Sequence, residues 1–165
     1  MDARSVAETI KLLEKAGLEI HVDGGWAVDA LLGDQARPHD DLDIAIRHSM
    51  VPTLRANLAQ LGYCDHPQPG SWECNFVLRD RCDRRLDVHC YELDADGNNT
   101  FGIAYKSEDL QGTGVINGYR VKCISPASLV RFHTGYAVDE NDYHDVRLIC
   151  ERFGISLPDD YSKFV

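Results

Sequence analysis

Apolar residues recur every three or four positions in five parts of the chain, which predicts five α-helices. The first contains Val6, Ile10 and Leu13, and Gly17 provides a C-terminal stop. The stretch "SVAE" at residues 5–8 predicts a capping box within this helix start, a hydroxyl followed three residues later by a carboxylate. Further helices are predicted over residues 26–32, 52–61 and 126–135, and a final helix ends at Gly154.

Short strand-like runs between the helices, two of which alternate apolar and polar residues, predict the strands. "LEIHV" precedes the second helix, and residues 41–46 follow it. "SWECNFVLR" and "RRLDVHCYE" are joined by the polar "DRCD", which favours a hairpin, and "FGIAY" and "YRVKCIS" complete the set. We therefore expect an α+β fold with a mixed β-sheet and flanking helices. Residues 1–124 would form the catalytic core and residues 125–165 a short C-terminal helical segment of one compact domain.

Composition excludes some functions. The chain has 165 residues, and 27 acidic against 17 basic side chains give a formal charge of −10. A basic surface is needed to displace counterions from nucleic acid, so we expect no nucleic-acid partner. No run of about 18 apolar residues and no signal-peptide core are present, so we expect a cytoplasmic protein without a membrane span. Six cysteines without a CxxC pair indicate buried thiols.

The chemistry is concentrated in "HDDLDIAI", residues 39–46. Side chains of a strand alternate between faces, so Asp41 and Asp43 point the same way, about 6.5–7 Å apart. In "RRLDVHCYE" the same alternation places Asp87 on the polar face of another strand. If the two strands are neighbours, three carboxylates share one patch, and their repulsion calls for a cation. Mg²⁺ prefers such oxygen ligands.

Two glycines, Gly24 and Gly25, stand at a predicted strand-to-helix junction upstream. Glycines there let backbone N–H groups approach a phosphate, and the helix N-terminus adds partial positive charge. A plain tight turn explains the pair equally well when it is considered alone. Together with the downstream aspartates, the pair favours binding of a triphosphate and its metal.

"GGWAVDALLG", "RPHDDLDIAI" and the later "LDVH" resemble the nucleotidyltransferase superfamily of DNA polymerase β, in its small antibiotic-modifying branch. The resemblance is closest to the lincosamide nucleotidyltransferases, and it extends to "CISPASLVRFHTGY" and "DENDYHDV" near the C-terminus. It implies a nucleotidyltransferase-like fold and transfer of AMP from ATP to a hydroxyl of a lincosamide such as lincomycin or clindamycin, which confers resistance. It also makes a homodimer possible, because so small a domain offers limited surface for enclosing two substrates.

The resemblance implies a role for each matching residue. Asp41 and Asp43 match the metal-binding pair, and Asp87 matches a third carboxylate that completes the metal site or acts as general base. Gly24 and Gly25 would lie beneath the phosphates. Arg37 and His39 could either contact the phosphates or form hydrogen bonds that stabilise the loop, and the two roles are equally plausible from the sequence.

Several alternatives stay open from the sequence. Glu92 is the reserve general base, and candidate acceptor-pocket residues are His89, Tyr91, His133 and Tyr136. The acceptor could be an aminoglycoside. A DxD glycosyltransferase and a non-catalytic nucleotidyltransferase-like antitoxin or binding protein are the other readings, and the intact carboxylates argue against the antitoxin.

Overall fold

The computed structural model describes residues 1–164 and contains one mixed sheet of eight strands. The strands run in the spatial order β3-β4-β5-β2-β1-β8-β7, and β6 pairs with β5. Their bounds are β1 Ile20–Val22, β2 Asp41–Arg47, β3 Cys64–Asp65, β4 Asn75–Arg79, β5 Arg85–Leu93, β6 Asn99–Gly102, β7 Gly112–Ile116 and β8 Tyr119–Cys123. The predicted α+β fold, mixed sheet and β4–β5 hairpin are confirmed. Strands β3 and β7 had not been predicted, and β6 lies earlier in the chain than the strand predicted at residues 101–105.

Five α-helices accompany the sheet: α1 Ala3–Lys15, α2 Gly24–Leu32, α3 Val51–Gln60, α4 Pro126–Phe132 and α5 Glu140–Phe153. Short 3-10 helices cover His48–Met50, Ser107–Leu110 and Asp159–Phe164. The predicted capping box at residues 5–8 is wrong. Helix α1 begins earlier because Asp2 is the N-cap and accepts a hydrogen bond from the Ser5 N–H, which places Ser5 inside the helix.

The apolar residues of the two central strands form the core. Leu42, Ile44 and Ile46 of β2 are fully buried, and so are their β5 counterparts Leu86, Val88 and Cys90. Asp41, Asp43 and Asp87 have the opposite parity and remain partly exposed. Strand alternation therefore gives a buried apolar face and a polar face, as the sequence predicted.

Strand pairing brings separate parts of the chain to the polar face. Strands β2 and β5 are parallel neighbours in a register that pairs Asp43 with Asp87. Strand β1 is antiparallel to β2, and Asp23, the residue after β1, donates its backbone N–H to the Asp43 carbonyl at 2.9 Å. Helix α2 starts at this point and contacts both α4 and α5. The C-terminal helices consequently pack on the segment that leads into the carboxylates.

The cysteines are free thiols, and four of them are buried as predicted: Cys74, Cys90, Cys123 and Cys150. Cys64 and Cys82 are exposed, contrary to the prediction. Both lie at the outer end of the sheet, Cys64 on the two-residue edge strand β3 and Cys82 in the β4–β5 turn, where little covers them.

Candidate active site

Asp43 and Asp87 stand side by side on adjacent parallel strands, and His89 follows two residues after Asp87 on the same face. One ligand atom from each of these three side chains lies within 4.8 Å of the other two. Asp41 precedes Asp43 on the same face of β2 and pairs with Arg85 of β5. The predicted carboxylates thus come together, with Asp41 at the rim of this three-residue group.

Asp43 and Asp87 lie in surroundings that disfavour their ionised forms. Burial and the nearby Asp41 raise the pKa of Asp43 to about 8. Burial also raises the pKa of Asp87. In addition, the Asp87 Oδ1 atom is buried and has no hydrogen-bond partner within residues 1–164. An unpaired buried acceptor beside a second carboxylate is the arrangement that a bound cation would satisfy.

His89 is placed between two acids. Its Nδ1 is 3.7 Å from Asp23 Oδ2 and its Nε2 is 3.6 Å from Asp87 Oδ1. Burial alone would lower the pKa of His89, but the negative charge of the neighbouring Asp23, together with Asp43 and Asp87, raises it to about 9. The ring therefore carries positive charge near neutral pH and offsets part of the acidic cluster.

Asp23 and Tyr105 were not among the predicted site residues. Asp23 is buried, caps α2 by accepting the Gly24 N–H at 2.8 Å, and accepts a hydrogen bond from the Tyr105 hydroxyl. Burial raises the pKa of Asp23, but the nearby positive charge of His89 and the hydrogen bond from Tyr105 outweigh this and lower it overall. An Asp before two glycines at a helix start was the available signal for Asp23. Tyr105 had no local signal, because its contact spans 82 residues.

Both positions require glycine because side chains from elsewhere in the chain approach the backbone of Gly24 and Gly25 closely. A Cβ atom on Gly24, whose φ is +57°, would lie 2.3 Å from Asp43 Oδ2. A Cβ atom on Gly25 would lie 2.4 Å from His39 Nδ1 and 2.9 Å from an Arg37 guanidinium nitrogen. Only glycine leaves room for these groups, so the pair lets the Asp43 carboxylate and the loop before β2 reach the start of α2.

Arg37 and His39 each have a buried acidic partner. The Arg37 guanidinium forms a bidentate pair with Asp145 of α5, with Nη2 2.6 Å from Oδ2 and Nε 3.0 Å from Oδ1. His39 Nε2 lies 2.6 Å from Asp29 Oδ2 of α2. These bonds fasten the loop, and both residues also line the main cavity. Loop stabilisation is therefore visible, and the phosphate contact stays a prediction.

The cavity above the carboxylates has a volume of about 630 Å³. Its lining includes the predicted site residues Gly24, Gly25, Arg37, His39, Asp41 and Asp43, together with Asp23, Asp40, Arg85, His89, Phe132 and His133. Such a volume is in the range of small-molecule sites.

The other candidates are placed less favourably. Tyr91 is 2% exposed and packs against the Tyr105 ring, so it does not face the cavity, and Tyr136 lies on the surface, where it donates to Asp142. Glu92 is engaged by the Ser49 N–H at 2.7 Å and by Arg47. No helix in residues 1–164 has the length and apolar character required to cross a bilayer.

The family model described as aminoglycoside-2″-adenylyltransferase matches residues 5–149, which include every carboxylate of the site. The chain belongs to this family.

The chain is also similar to one named protein in sequence and to two solved structures in fold. A lincosamide resistance protein of Staphylococcus haemolyticus is 28% identical over 146 residues, covering 84% of this chain and 88% of the relative. Two solved structures share the fold. The lincomycin-bound lincosamide antibiotic adenylyltransferase LnuA has a TM-score of 0.78 at 23% identity, covering 93% of this chain and 97% of LnuA. ANT(2″)-Ia in complex with adenylyl-2″-tobramycin has a TM-score of 0.76 at 22% identity, covering 99% of this chain and 98% of its own.

Proposed function

We propose that this adenylyltransferase-family protein transfers AMP from ATP to a hydroxyl of a lincosamide antibiotic. The main support for this proposal is the register of β2 and β5, which sets Asp43 beside Asp87 below the N-terminus of α2. The similarity to a lincosamide resistance protein over most of both chains supports the choice of acceptor.

A divalent cation fits this site on physical grounds. Asp87 Oδ1 is buried without a partner, and the pKa of Asp43 is raised to about 8, so the metal-free cluster is short of positive charge. We propose that Asp41, Asp43 and Asp87 hold Mg²⁺, with Asp41 turning in from the rim. A bound Mg²⁺ would neutralise negative charge on the phosphate oxygens.

The nucleotide would bind with its phosphates toward the first turn of α2. The first N–H groups of a helix have no partner within the helix and carry partial positive charge, which favours an anion there. The Gly24–Gly25 backbone lies at that end, and because Asp23 accepts the Gly24 N–H, the N–H groups that follow would face the phosphates. Arg37 and His39 border the same cavity, and we propose that they contact the triphosphate from the positions fixed by Asp145 and Asp29.

The reaction requires a base for the acceptor hydroxyl. The hydroxyl oxygen forms a bond to the α-phosphorus while the bond from the α-phosphorus to the oxygen that bridges it to the β-phosphate breaks. Pyrophosphate leaves with that oxygen, and the hydroxyl proton passes to a base. We propose Asp87 as that base because it stands beside Asp43, which lines the cavity, although Asp87 itself is not among the lining residues. Glu92 is less suited, since Ser49 and Arg47 occupy its carboxylate. His89 and Asp23 would keep Asp87 oriented.

The test is mass spectrometry of lincomycin and tobramycin after incubation with the protein, ATP and Mg²⁺. We expect lincomycin to gain one AMP and pyrophosphate to appear in equal amount. Asp43→Asn and Asp87→Asn should abolish the product while thermal melting shows a folded chain. Asp96→Asn, which removes a charge from an exposed turn, is the matched control.

Unmodified lincomycin with an active wild-type preparation would overturn the proposal. An aminoglycoside acceptor is the second candidate, because the matching family model carries the name of 2″-adenylylation of aminoglycosides. AMP on tobramycin alone would select it. No product with either drug would favour the non-catalytic reading. We further propose that the protein acts in the cytoplasm, where ATP and Mg²⁺ are available, and a homodimer stays a prediction that sedimentation can test.

A further inference from the structure

A second cavity adjoins the main one. It has a volume of about 360 Å³ and is lined by Asp23, Asn75, His89, Ile103, Ala104, Tyr105 and Phe132. Three of these residues, Asp23, His89 and Phe132, also line the main cavity. The two spaces therefore meet around His89, on the side of the proposed base Asp87. We call the second space the side pocket.

The side pocket differs in chemistry from the main cavity. Ile103, Ala104 and Phe132 give it an apolar wall, and Tyr105 contributes its ring because its hydroxyl already donates to Asp23. Asn75 adds one amide. The main cavity, in contrast, is surrounded by carboxylates, histidines and arginines. An occupant of both spaces must combine a hydroxyl-bearing part with an apolar part.

The wall of the side pocket is built before any ligand binds. The Ile103 N–H donates to the Cys90 carbonyl at 2.8 Å, and the Asn99 side chain donates to the Ile103 carbonyl at 2.7 Å. Gly102 permits this docking, since a Cβ there would lie 2.2 Å from the Cys90 oxygen. The Tyr105 ring is also packed edge-on against Phe132, with ring centroids 5.5 Å apart. A fixed apolar wall needs little ordering on binding.

We propose that the side pocket receives an apolar substituent of the acceptor and so selects lincosamides over aminoglycosides. This inference rests on the proposed function. A lincosamide carries alkyl groups beside its hydroxylated sugar, whereas an aminoglycoside is hydrophilic and cationic throughout. An alkyl group entering between Ile103 and Phe132 would leave the sugar hydroxyls facing Asp87.

The first experiment fills the side pocket with Ala104→Leu and uses Ala137→Leu as the matched control. Ala137 is an exposed loop alanine that lines neither cavity. Hydrophobic pockets discriminate by roughly 10- to 200-fold for each methylene-sized misfit. We expect Ala104→Leu to lower kcat/KM for lincomycin at least about 10-fold, while KM for ATP and the melting temperature stay near wild type. Ala137→Leu should leave all three unchanged.

The second experiment opens the side pocket with Ile103→Ala. This variant should lose activity toward lincomycin and regain it toward a lincomycin analogue with a longer alkyl chain, whereas the wild type should prefer lincomycin. An unchanged kcat/KM for lincomycin in Ala104→Leu, or the same order of preference in Ile103→Ala, would overturn the side-pocket assignment. A wild-type protein that never adenylylates lincomycin would instead overturn the proposed function, so the two failures are distinguishable.

Discussion

Replacing Asp43 by asparagine is expected to stabilise the metal-free protein at pH 7. Asparagine keeps the shape of the side chain and removes the charge that burial and Asp41 disfavour. The substitution therefore tests whether the acidic cluster is strained when no cation is bound. A residue that a fold needs for packing or hydrogen bonding would give the opposite result.

The magnitude follows from the pKa of Asp43. It is about 8 in the folded chain, against about 3.9 for an unperturbed aspartate. Because the folded pKa of this acid is raised, its contribution to stability is greatest below about pH 4 and is lost as the pH rises toward 8. Each pH unit is worth about 1.4 kcal/mol, so about 4 kcal/mol is the ceiling at pH 7. The value of about 8 already includes the attraction of His89, and relaxation of the cluster when Asp43 ionises keeps the effect below the ceiling, so we expect a gain of about 1–3 kcal/mol for Asp43→Asn.

Urea denaturation in EDTA at pH 5 and pH 7 measures the effect, with Asp96→Asn as a control for the loss of one exposed charge. The advantage of Asp43→Asn should grow from pH 5 to pH 7. Added Mg²⁺ should then stabilise the wild type by about 1.4 kcal/mol at ten times its Kd and leave the variant unchanged. An Asp43→Asn protein that is less stable than the wild type in EDTA at pH 7 would refute the reasoning.

The central part of the site was predictable because its signal is local. Alternation in β2 and β5 assigned Asp41, Asp43 and Asp87 to one polar face, and the fold confirms that assignment. Whether β2 and β5 are neighbours could not be read from either strand, since register depends on the rest of the sheet. The resemblance to nucleotidyltransferases supplied the expectation that they meet.

The missed features depend on distant contacts. Strand β7 includes Gly112 and Gly114, and a Cβ on Gly114 would lie 2.2 Å from the Ala30 carbonyl of α2. The close packing of α2 thus removes the side chain that would have marked a strand by alternation. Likewise, Arg37 pairs with Asp145, which lies 108 residues later in the sequence, and no local sequence pattern predicts such a pair. Sequence periodicity reports which face a residue occupies, whereas tertiary packing decides what it touches.

Two further changes test how the loop before β2 is fastened to the helices. Gly25→Ala should lower the free energy of unfolding by about 1–3 kcal/mol, because its Cβ would meet the His39 ring. Helix propensity alone would give the opposite sign, about 1 kcal/mol in favour of alanine. If the stability changes of Gly25→Ala and His39→Ala simply added in the double variant, the steric explanation would be contradicted. Arg37→Ala leaves Asp145, which is 2% exposed, without its bidentate partner. Urea denaturation should show a loss of about 3–5 kcal/mol, against under about 1 kcal/mol for Arg4→Ala in an exposed pair. A loss at Arg37 as small as that at Arg4 would mean that water already reaches the Asp145 carboxylate, and the loop would then have to be held through Asp29, which contacts His39 and accepts the Ala36 N–H.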